Sequence, residues 1–570
     1  MQVIRSRESW DVCVVGSGAG GGMVAKVLTE AGANVLMLEA GVDWDPVNDS
    51  YMMMWPYDSP RRGGGTQAQQ FGEFDAGFGG FSLDGEPYTT APGTQFGWFR
   101  TRMLGGRTNH WGRISLRFGP DDFRRRSLDG LGDDWPISYD DIAPYYDQVD
   151  RFVGIFGSVE NLHNHPDGVF LPPPRPRCWE LLIKDAADRL DITCIPSRLS
   201  ILTRPLNGRE QCHYCGQCNR GCAIHANFSS PSVLLPPAMK TGRLTIRTNA
   251  MAREVTVGAD GRATGVLYID KRTGQEQHVQ ARVVVLAASA CESARILLNS
   301  TSAKFPQGLA NSSGTVGRYL TDTTGTGVSG FIPKLMDNLP HNEDGVGGAH
   351  LYMPWWLDNA KLDFPRGYHI EIGGGRGMPS AGFGGNITRF SGLDNGRAVG
   401  GYGASLKEDY RRFYGSTVYF DGRGEMIPNA DSYCEVDPNT VDRWGIPVLR
   451  FHWRWSDYEI DQAKHMQETF RSLIVEMGGT PLGEMPSRQR QYGLAAGGRI
   501  IHELGVTRMG HDPSSSVLDA NCRAHDVANL FVADGGPFVS QADKNPTWTI
   551  LALAWRTSDF IANQLRSGSL

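Results

Sequence analysis

The stretch WDVCVVGSGAGGGMVAKVLTEAGANVLMLEAG, residues 10–41, decides the fold of this chain. It reads as an apolar strand, a glycine turn, a helix and a second strand. Gly16, Gly18 and Gly21 have the spacing G-x-G-x-x-G, and Glu39 ends the second strand. Such glycines let the backbone approach a pyrophosphate at the helix N-terminus, and the acid binds ribose hydroxyls. The stretch predicts a Rossmann-like α/β domain that binds a dinucleotide, and Glu39 permits either FAD or NAD.

Two later stretches continue the same fold. Residues 283–287, VVVLA, predict a buried strand followed by a helix over 291–298. Residues 529–534, NLFVAD, predict another strand that ends before Gly535, and a last helix begins at about Pro546. One nucleotide-binding domain is therefore assembled from three separated stretches of chain. This layout is typical of large flavoproteins, in which an extended FAD lies across the sheet.

The bulk properties narrow the class of protein. A chain of 570 residues is long enough for two or more domains. The net charge is −6 and the basic residues are not concentrated in one segment, which argues against a nucleic-acid partner. The sequence shows no run of 18 apolar residues and no cleavable export signal at its N-terminus. We expect no membrane span and no export by the chain's own signal, while export with a signal-bearing partner stays open.

Four cysteines lie within eleven residues, in the stretch CHYCGQCNRGC. Cys212, Cys215, Cys218 and Cys222 have the spacing C-x2-C-x2-C-x3-C, which is typical of ferredoxin loops that bind an iron–sulfur cluster. Zinc and disulfides are the alternatives, although zinc favours two separated pairs and disulfides would be strained at these spacings. Three ligands would suit a [3Fe–4S] cluster and four a [4Fe–4S] cluster. Cys215 is the first of the four that we would exclude as a ligand.

Five motifs resemble those of the glucose–methanol–choline (GMC) oxidoreductases and follow in the same order. They are GSGAGGG (16–22), LGGRTNHWG (104–112), AASACESARILLNS (287–300), HELGVTRMG (502–510) and NPTWTILALAWRTSDFI (545–561). With its cysteine cluster, the chain is similar to the branch that contains the catalytic subunits of bacterial gluconate, fructose, FAD-glucose and glycoside 3-dehydrogenases. The resemblance implies FAD as the cofactor and oxidation of a CH–OH group.

The resemblance also maps the family's His/Asn catalytic pair onto His502 and Asn545. His502 would take the hydroxyl proton while flavin N5 takes the hydride from the same carbon, because histidine is the usual base near neutral pH. Asn545 would hydrogen-bond the substrate oxygen and hold it in line. The alternative for His502 is a structural histidine with no part in catalysis.

Further residues are expected around the cofactor. Gly105 and Gly106 suit a tight loop against the flavin. His110 follows them, and in some relatives a histidine at the matching place is bonded covalently to the flavin, so both a covalent and a non-covalent neighbour are open here. Asp534 would accept a hydrogen bond from the ribityl chain or cap the last helix, and Gly535 would allow close backbone approach.

The predicted partners follow from the cysteines and the resemblance. A reduced flavin holds two electrons, whereas a cluster accepts one at a time, so we expect a relay to an external acceptor such as a cytochrome c. Oxygen would be a poor acceptor. A small subunit with an export signal would carry the chain to the periplasm, with the cytoplasm as the alternative. An oxygen-using oxidase and an electron-transfer subunit without alcohol chemistry are the competing hypotheses.

The expected architecture is α/β, with a discontinuous FAD-binding domain and an α+β substrate domain that contains an antiparallel sheet. The predicted boundaries are 1–125, 225–325 and 495–570 for the FAD-binding domain, 126–224 for a connecting segment with the cysteine loop at 205–224, and 325–494 for the substrate domain. The middle region has no assignable motif. We expect a sugar or glycoside substrate, oxidised at C3 of a glycoside among the options, with a gluconate- or fructose-type polyol as the alternative.

Two further features of the sequence each allow more than one interpretation. A glycine-rich stretch over 62–97 is a candidate lid or partner surface, or a simple loop. Aromatic side chains in the predicted substrate domain suit either sugar binding or ordinary sheet core. These aromatic residues are Trp355, Trp356, Tyr402, Tyr410, Tyr414, Trp453 and Trp455.

Overall fold

The structure is a computed structural model of the 570-residue chain. It describes residues 3–49, 79–80, 83–216, 218, 221–337, 345–354, 362–376 and 384–570. Most of the glycine-rich stretch over 62–97, as well as Trp355 and Trp356, lies outside the described residues.

The strands, in chain order, are β1 Ile4–Val15, β2 Val35–Leu38, β3 Gly79–Gly80, β4 Thr89–Thr90, β5 Arg100–Thr101, β6 Ile155–Phe156, β7 Phe170–Leu171, β8 Ile195–Pro196, β9 Leu244–Arg247, β10 Ala250–Val257, β11 Ala263–Asp270, β12 Gln275–Leu286, β13 Gly327–Phe331, β14 Leu351–Met353, β15 Tyr368–Gly374, β16 Thr417–Gly424, β17 Tyr433–Val441, β18 Pro447–His452, β19 Thr480–Pro481 and β20 Leu530–Val532. The α-helices are α1 Ala19–Glu30, α2 Arg125–Asp129, α3 Tyr139–Val153, α4 Cys178–Arg189, α5 Leu235–Lys240, α6 Ala290–Asn299, α7 Gly403–Phe413, α8 Asp457–Glu476 and α9 Thr547–Ser567. Short 3-10 turns span Gly106–Asn109, Pro120–Phe123, Pro333–Leu335, Gly384–Phe390 and Arg488–Gly493, and one π turn spans Ser230–Leu234.

A seven-stranded sheet positions the nucleotide-binding motif. Strands β20, β12, β1, β2 and β9 pair in parallel in that order, and the antiparallel strands β11 and β10 extend the sheet beyond β12. Val12 to Val15 pair with Val35 to Leu38 on one side and with Val283 to Leu286 on the other. Both faces of these strands are buried, which explains why they are continuous apolar runs without alternation. The prediction of a Rossmann-like domain built from distant segments is confirmed.

Helices α1 and α9 pack against each other in this domain. Helix α1 follows β1 directly and packs against α9, so the two ends of the described chain meet over the sheet. Lys26 on α1 keeps its ammonium 4.2 Å from the ring of Trp555 on α9 and forms an ion pair with Glu30. The main core includes both helices and the five parallel strands.

A six-stranded antiparallel sheet forms the second layer of the molecule. Its order is β19, β13, β16, β15, β14 and β8. Helices α4 and α8 pack beside this sheet, and their buried apolar side chains form one hydrophobic core with those of its strands. The predicted antiparallel sheet is confirmed. Strand β8 comes from the stretch predicted as a connecting segment, and the domain boundaries themselves stay a prediction.

A smaller three-stranded sheet packs beside α6. Strands β17 and β18 are antiparallel, and β4 adds in parallel to β18. Helix α6 packs on β17 and β18, and Arg295 of α6 forms an ion pair with Asp442 at 2.8 Å. Part of the predicted substrate segment therefore packs against the nucleotide-binding layer. Among the described residues, we find no helix that is both long and apolar enough to cross a membrane.

Candidate active site

One cavity of about 410 Å³ lies at the carboxyl ends of β1, β12 and β20, where open α/β sheets bind their ligands. Its wall combines residues from the start, the middle and the end of the chain. Most of the predicted catalytic and cofactor residues line it, namely Gly16, Gly18, Glu39, Gly106, His110, His502, Asp534, Gly535 and Asn545. Gly21 and Gly105 are the two predicted residues that lie outside this lining.

The glycine turn after β1 fits closely into its surroundings. Gly16 has a φ of +101°, and a Cβ there would lie 2.3 Å from the carbonyl oxygen of Ala287. A Cβ at Gly21 would lie 2.0 Å from the carbonyl oxygen of Gly16, so this glycine allows the helix to pack against the turn. Gly18 differs, because a Cβ there would meet no atom of the described residues within 4 Å. The backbone at Gly18 thus faces open space, as the approach of a pyrophosphate requires.

Glu39 joins the turn to the loop that follows β5. Its Oε1 accepts a hydrogen bond from the backbone N–H of Gly41 at 2.7 Å, and its Oε2 accepts from the backbone and hydroxyl of Ser17. The Ser17 hydroxyl in turn accepts from the backbone N–H of Gly105 at 2.8 Å. Burial raises the pKa of Glu39. Gly105 therefore holds the LGGRTNH loop against the turn, and this positions Gly106 and His110 at the cavity.

His110 presents its ring to the cavity from the end of that loop. Its ring lies edge-on to Phe99, with 6.0 Å between centroids. Its Nε2 is buried and has no hydrogen-bond partner among the described residues. Burial, reinforced by the nearby Arg113, lowers the pKa of His110 to about 3. A neutral imidazole with an open nitrogen fits a residue that contacts a flavin, and whether it bonds covalently stays a prediction.

His502 is fixed by its neighbours on the side away from the cavity. Its backbone N–H donates to Oδ1 of Asp322 at 2.9 Å, and its Nδ1 lies 2.8 Å from the hydroxyl of Thr323. Nε2 of Gln541 donates to the same hydroxyl at 2.9 Å. Burial and then Arg423 lower the pKa of His502 to about 3. The imidazole is therefore neutral at pH 7, and its second nitrogen can accept a proton.

Asn545 is held by the carboxylate of Glu371, a residue outside the sequence motifs. Its Nδ2 donates to Oε1 of Glu371 at 3.2 Å, while its Oδ1 is buried and has no partner among the described residues. Because an ionised carboxylate only accepts hydrogen bonds, the Asn545 amide must turn its nitrogen toward Glu371. The second N–H of its Nδ2 can then donate to a substrate oxygen, whose own proton is left for His502.

Glu371 and Arg423 face the cavity from adjacent strands. Oε2 of Glu371 lies 3.2 Å from Nη2 of Arg423, and Nε2 of His369 lies 3.4 Å from Oε1 of Glu371. Burial acts to raise the pKa of Glu371, but Arg423, His369 and Asn545 outweigh it and lower the pKa to about 2. A sequence signal existed in hindsight, since charged residues interrupt the strand segments YHIEI (368–372) and YFDGRG (419–424).

Asp534 forms hydrogen bonds within the turn after β20 and does not cap the last helix. Its Oδ1 accepts from the backbone N–H of Gly536 at 2.8 Å, and its Oδ2 accepts from the hydroxyl of Ser293 on α6. The N-cap of α9 is Pro546, and no side chain caps that end. The expectation that Asp534 caps the last helix is therefore wrong, because its oxygens are used by its own turn and by α6. Burial raises its pKa to about 6.

The predicted aromatic residues do not line this cavity wherever the structure describes them. Trp453 and Trp455 pack in the main core, with Trp453 beside Phe96. Tyr410 and Tyr414 stack on each other, and Tyr402 is 90% exposed. For the two tryptophans, ordinary core packing is the interpretation that holds.

The four predicted cluster cysteines converge on a second, small cavity. Cys212, Cys215, Cys218 and Cys222 all line it, together with apolar side chains that include Ile201, Ile224 and Ala226. None of the four forms a disulfide. Burial raises the pKa of Cys212 to about 12. Four sulfur donors around one apolar cavity suit an iron–sulfur cluster or zinc, although the described residues, which omit 217, 219 and 220, contain no preformed group of three or more metal-ligand side chains.

One short segment connects the two cavities. His110 and Trp111 line the main cavity, as does Ile114, which also packs against the apolar cluster that contains Cys212 and Cys222. Arg113 between them is 1% exposed, and its guanidinium donates to the carbonyl oxygen of Asn109 at 3.1 Å. Burial lowers the pKa of Arg113, while the nearby Cys218 and Cys222 act to raise it. The cysteine cavity is thus separated from the main cavity by a few side chains.

Comparisons with known proteins agree with this arrangement. Two family models, both described as GMC oxidoreductase, match residues 198–324 and 428–554. The chain is 29% identical to a 2-methyl-1,2-propanediol dehydrogenase of Mycolicibacterium austroafricanum, over 98% of this chain and 96% of that protein. It is 26% identical to the large subunit of a fructose dehydrogenase of Gluconobacter japonicus, over 98% of this chain and 99% of that protein.

A solved structure shows the same fold. The crystal structure of pyridoxine 4-oxidase from Mesorbium loti superposes with a TM-score of 0.62 and covers 98% of this chain and 99% of its own. The sequence identity is 18%, so this likeness concerns the fold alone.

Proposed function

This chain is a member of the GMC oxidoreductase family, and from that premise we propose that it is an FAD-dependent dehydrogenase that oxidises a hydroxyl group of a sugar or polyol to a carbonyl. One observation carries the proposal. His502 and Asn545 line the same cavity as the glycine turn at Gly16 and Gly18 and the acid Glu39. A base, an amide and a dinucleotide cradle therefore share one cavity.

The residues present fit FAD, which when bound supplies the acceptor for the hydride. The open space at Gly18 admits the pyrophosphate, and Glu39 lies at the end of β2, where ribose hydroxyls bind. In the tautomer that this chemistry requires, the Nδ1–H of His502 donates to the Thr323 hydroxyl, which leaves Nε2 as the base for the substrate hydroxyl. The amide of Asn545, turned by Glu371, orients that hydroxyl toward the base.

The substrate class rests on the relatives and on the polar wall of the cavity. The relatives above are named for a propanediol and for fructose, both of which carry more than one hydroxyl group. A charged pair in the wall, Glu371 with Arg423, suits hydroxyl-rich molecules better than simple hydrocarbons. We include oxidation at C3 of a glycoside among the options, with a gluconate- or fructose-type polyol as the alternative.

We further propose that the four cysteines hold an iron–sulfur cluster, of [3Fe–4S] or [4Fe–4S] type, beside the flavin site. Their convergence on one cavity, and its separation from the main cavity by residues 110–114, support this. Such a cluster supplies one-electron transfer to an external acceptor such as a cytochrome c. One relative is named as a large subunit, which supports a small partner subunit here as well. Co-export with that subunit would place the enzyme in the periplasm, with the cytoplasm as the alternative.

A decisive experiment follows flavin reduction in the FAD-loaded protein. Anaerobic mixing with a panel of sugars, glycosides and polyols should bleach the flavin absorbance, and NMR should identify the carbonyl product. The His502→Ala variant should keep its FAD but reduce it about 10³-fold more slowly, because a general base contributes a factor of this size. His163→Ala replaces an exposed histidine and is the matched control, which should reduce its flavin at the wild-type rate.

Three outcomes would contradict the proposal in different ways. Reduction by His502→Ala within a few-fold of wild type would exclude His502 as the base. No bleaching by any sugar or alcohol would favour an electron-transfer subunit without alcohol chemistry. Peroxide formed at the rate of substrate oxidation would identify an oxygen-using oxidase instead of a dehydrogenase.

A further inference from the structure

Two charged side chains on the wall beside His502 have hydrogen-bonding capacity that the described residues do not use. Glu371 and Arg423 come from the adjacent antiparallel strands β15 and β16. His369 pairs directly with Arg423, and Glu371 pairs with Asp421, so all four side chains share one face of the sheet. On this face, Glu371 and Arg423 line the main cavity.

The carboxylate of Glu371 has an open side. Its Oε1 accepts a hydrogen bond from Nδ2 of Asn545 at 3.2 Å and lies 3.4 Å from Nε2 of His369. In the described residues, its Oε2 contacts one donor, Nη2 of Arg423 at 3.2 Å. A carboxylate offers about four lone-pair sites. The side chain is 19% exposed, so Oε2 can accept a further hydrogen bond from a molecule in the cavity.

The guanidinium of Arg423 has donors to spare. Its Nη1 donates to the carbonyl oxygen of Gly422 at 2.9 Å, and its Nη2 faces Glu371. A guanidinium carries five N–H donors, more than these described contacts employ. The side chain is 17% exposed at the cavity. A partly buried ion pair with unused donors and acceptors is costly unless a polar molecule completes it.

The pair is also adjacent to the reacting position. Asn545, which orients the hydroxyl to be oxidised, is in direct contact with Glu371. His502 is close enough that both Arg423 and Glu371 act on its pKa. A hydroxyl on the carbon next to the reacting one would therefore reach this wall. Since a hydroxyl both donates and accepts, it can donate to Glu371 and accept from Arg423 at once.

We propose that Glu371 and Arg423 form a diol subsite, which binds a second hydroxyl vicinal to the one that is oxidised and so selects vicinal diols over monoalcohols. The proposal rests on the alcohol oxidation proposed above and adds the residues that choose the substrate. A site built to hydrogen-bond a hydroxyl rejects an analogue without it, because its own polar groups are left unpaired. The open cavity here makes the preference smaller than in a sealed site, about 10²-fold.

The test compares two matched substrates, 1,2-propanediol and 1-propanol, in anaerobic flavin reduction by the FAD-loaded protein. We expect wild type to prefer the diol by about 10²-fold in kcat/KM. Arg423→Met and Glu371→Gln should each lower the preference at least tenfold, and Arg423→Lys should retain part of it. Asp421→Asn is the control, because it removes a carboxylate from the same face while Asp421 lies outside the described lining of the cavity.

The ratio of the two substrates separates recognition from general damage. Loss of folding or of His502 function would lower both rates together and leave the ratio unchanged. An Arg423→Met or Arg423→Lys enzyme that reduces flavin with the wild-type preference overturns the diol subsite, while alcohol oxidation still stands. A wild-type enzyme that oxidises neither these alcohols nor any sugar overturns the proposed function and the subsite with it. FAD content and unfolding midpoint are measured for every variant.

Discussion

Replacing Gly20 with alanine should damage the fold itself, whereas replacing Gly18 should damage only cofactor binding. Gly20 lies in the first turn of α1, and a Cβ there would be 1.6 Å from the carbonyl oxygen of Ala533, after β20. Contacts below 3.0 Å are essentially never seen for a Cβ, so the helix and strand end must separate by roughly 1.4 Å. Both partners are backbone, and no side chain can rotate away to relieve the clash.

The size of the effect follows from opposing terms. Overpacking of a filled interior costs up to about 3 kcal/mol. Alanine regains about 1 kcal/mol through its higher helix propensity than glycine. We therefore expect Gly20→Ala to lower the free energy of unfolding of the FAD-free protein by about 2 kcal/mol. The displaced strand end carries Asp534 and Gly535 at the cavity, so FAD content should fall as well.

Gly18→Ala is the matched control two residues away. Its φ of −67° is available to any residue, and a Cβ there meets nothing within 4 Å. As the N-cap of α1, the site favours glycine over alanine, which should cost below about 1 kcal/mol. The methyl group would stand where the pyrophosphate approaches, so FAD binding should be lost with little loss of stability.

The assay combines urea unfolding of the FAD-free proteins, followed by circular dichroism, with flavin absorbance per chain after loading. The reasoning fails if Gly20→Ala unfolds at the same urea concentration as Gly18→Ala. It also fails if Gly18→Ala binds FAD as wild type does.

Three further predictions concern the two sites. Burial lowers the pKa of His502 to about 3, so protonation of this base should slow flavin reduction only well below pH 6.5. The contribution of His502 to the free energy of unfolding is complete above pH 6.5 and declines as the pH falls. A reduction rate that halves near pH 6.5 because of His502 would contradict the assignment. Thr323→Val should slow flavin reduction about tenfold, because it removes the hydrogen bond to Nδ1 of His502. Thr323→Ser keeps the hydroxyl and should reduce flavin at the wild-type rate. Equal rates in wild type and both variants would mean that Thr323 does not orient the base. Cys218→Ser should lose bound iron, whereas Cys215→Ser should keep a three-iron cluster, as iron counting and EPR of anaerobically purified protein will show; zinc in place of iron would reject the cluster.

The glycine turn could be read from the sequence because its requirements are local. Gly16, Gly18 and Glu39 are close in the chain and act through backbone geometry and a short strand–helix–strand unit. His502 and Asn545 came from family motifs, and the structure brings both to the predicted cavity. Their catalytic roles remain predictions.

The rest of the site depends on contacts that sequence spacing does not reveal. Glu371 lies 174 positions from Asn545, and Thr323 lies 179 positions from His502. Their meeting depends on how β15 and β16 pair and on how the antiparallel sheet packs over the nucleotide-binding layer. The tryptophans show the opposite error, since aromatic composition suggested a binding wall where Trp453 and Trp455 fill the core.

The sheet beside the cofactor cavity can be completed only after widely separated strands have been synthesised. Strand β1 emerges from the ribosome first, but its neighbour β12 and the adjacent β20 follow more than 250 and 500 residues later. The cavity takes wall residues from both the glycine turn and α9, including Gly16 and Ile550. A nascent chain therefore cannot complete this cavity until α9 has been translated. Until β12 emerges, β1 can pair with β2 on one side, but its other edge lacks a parallel partner.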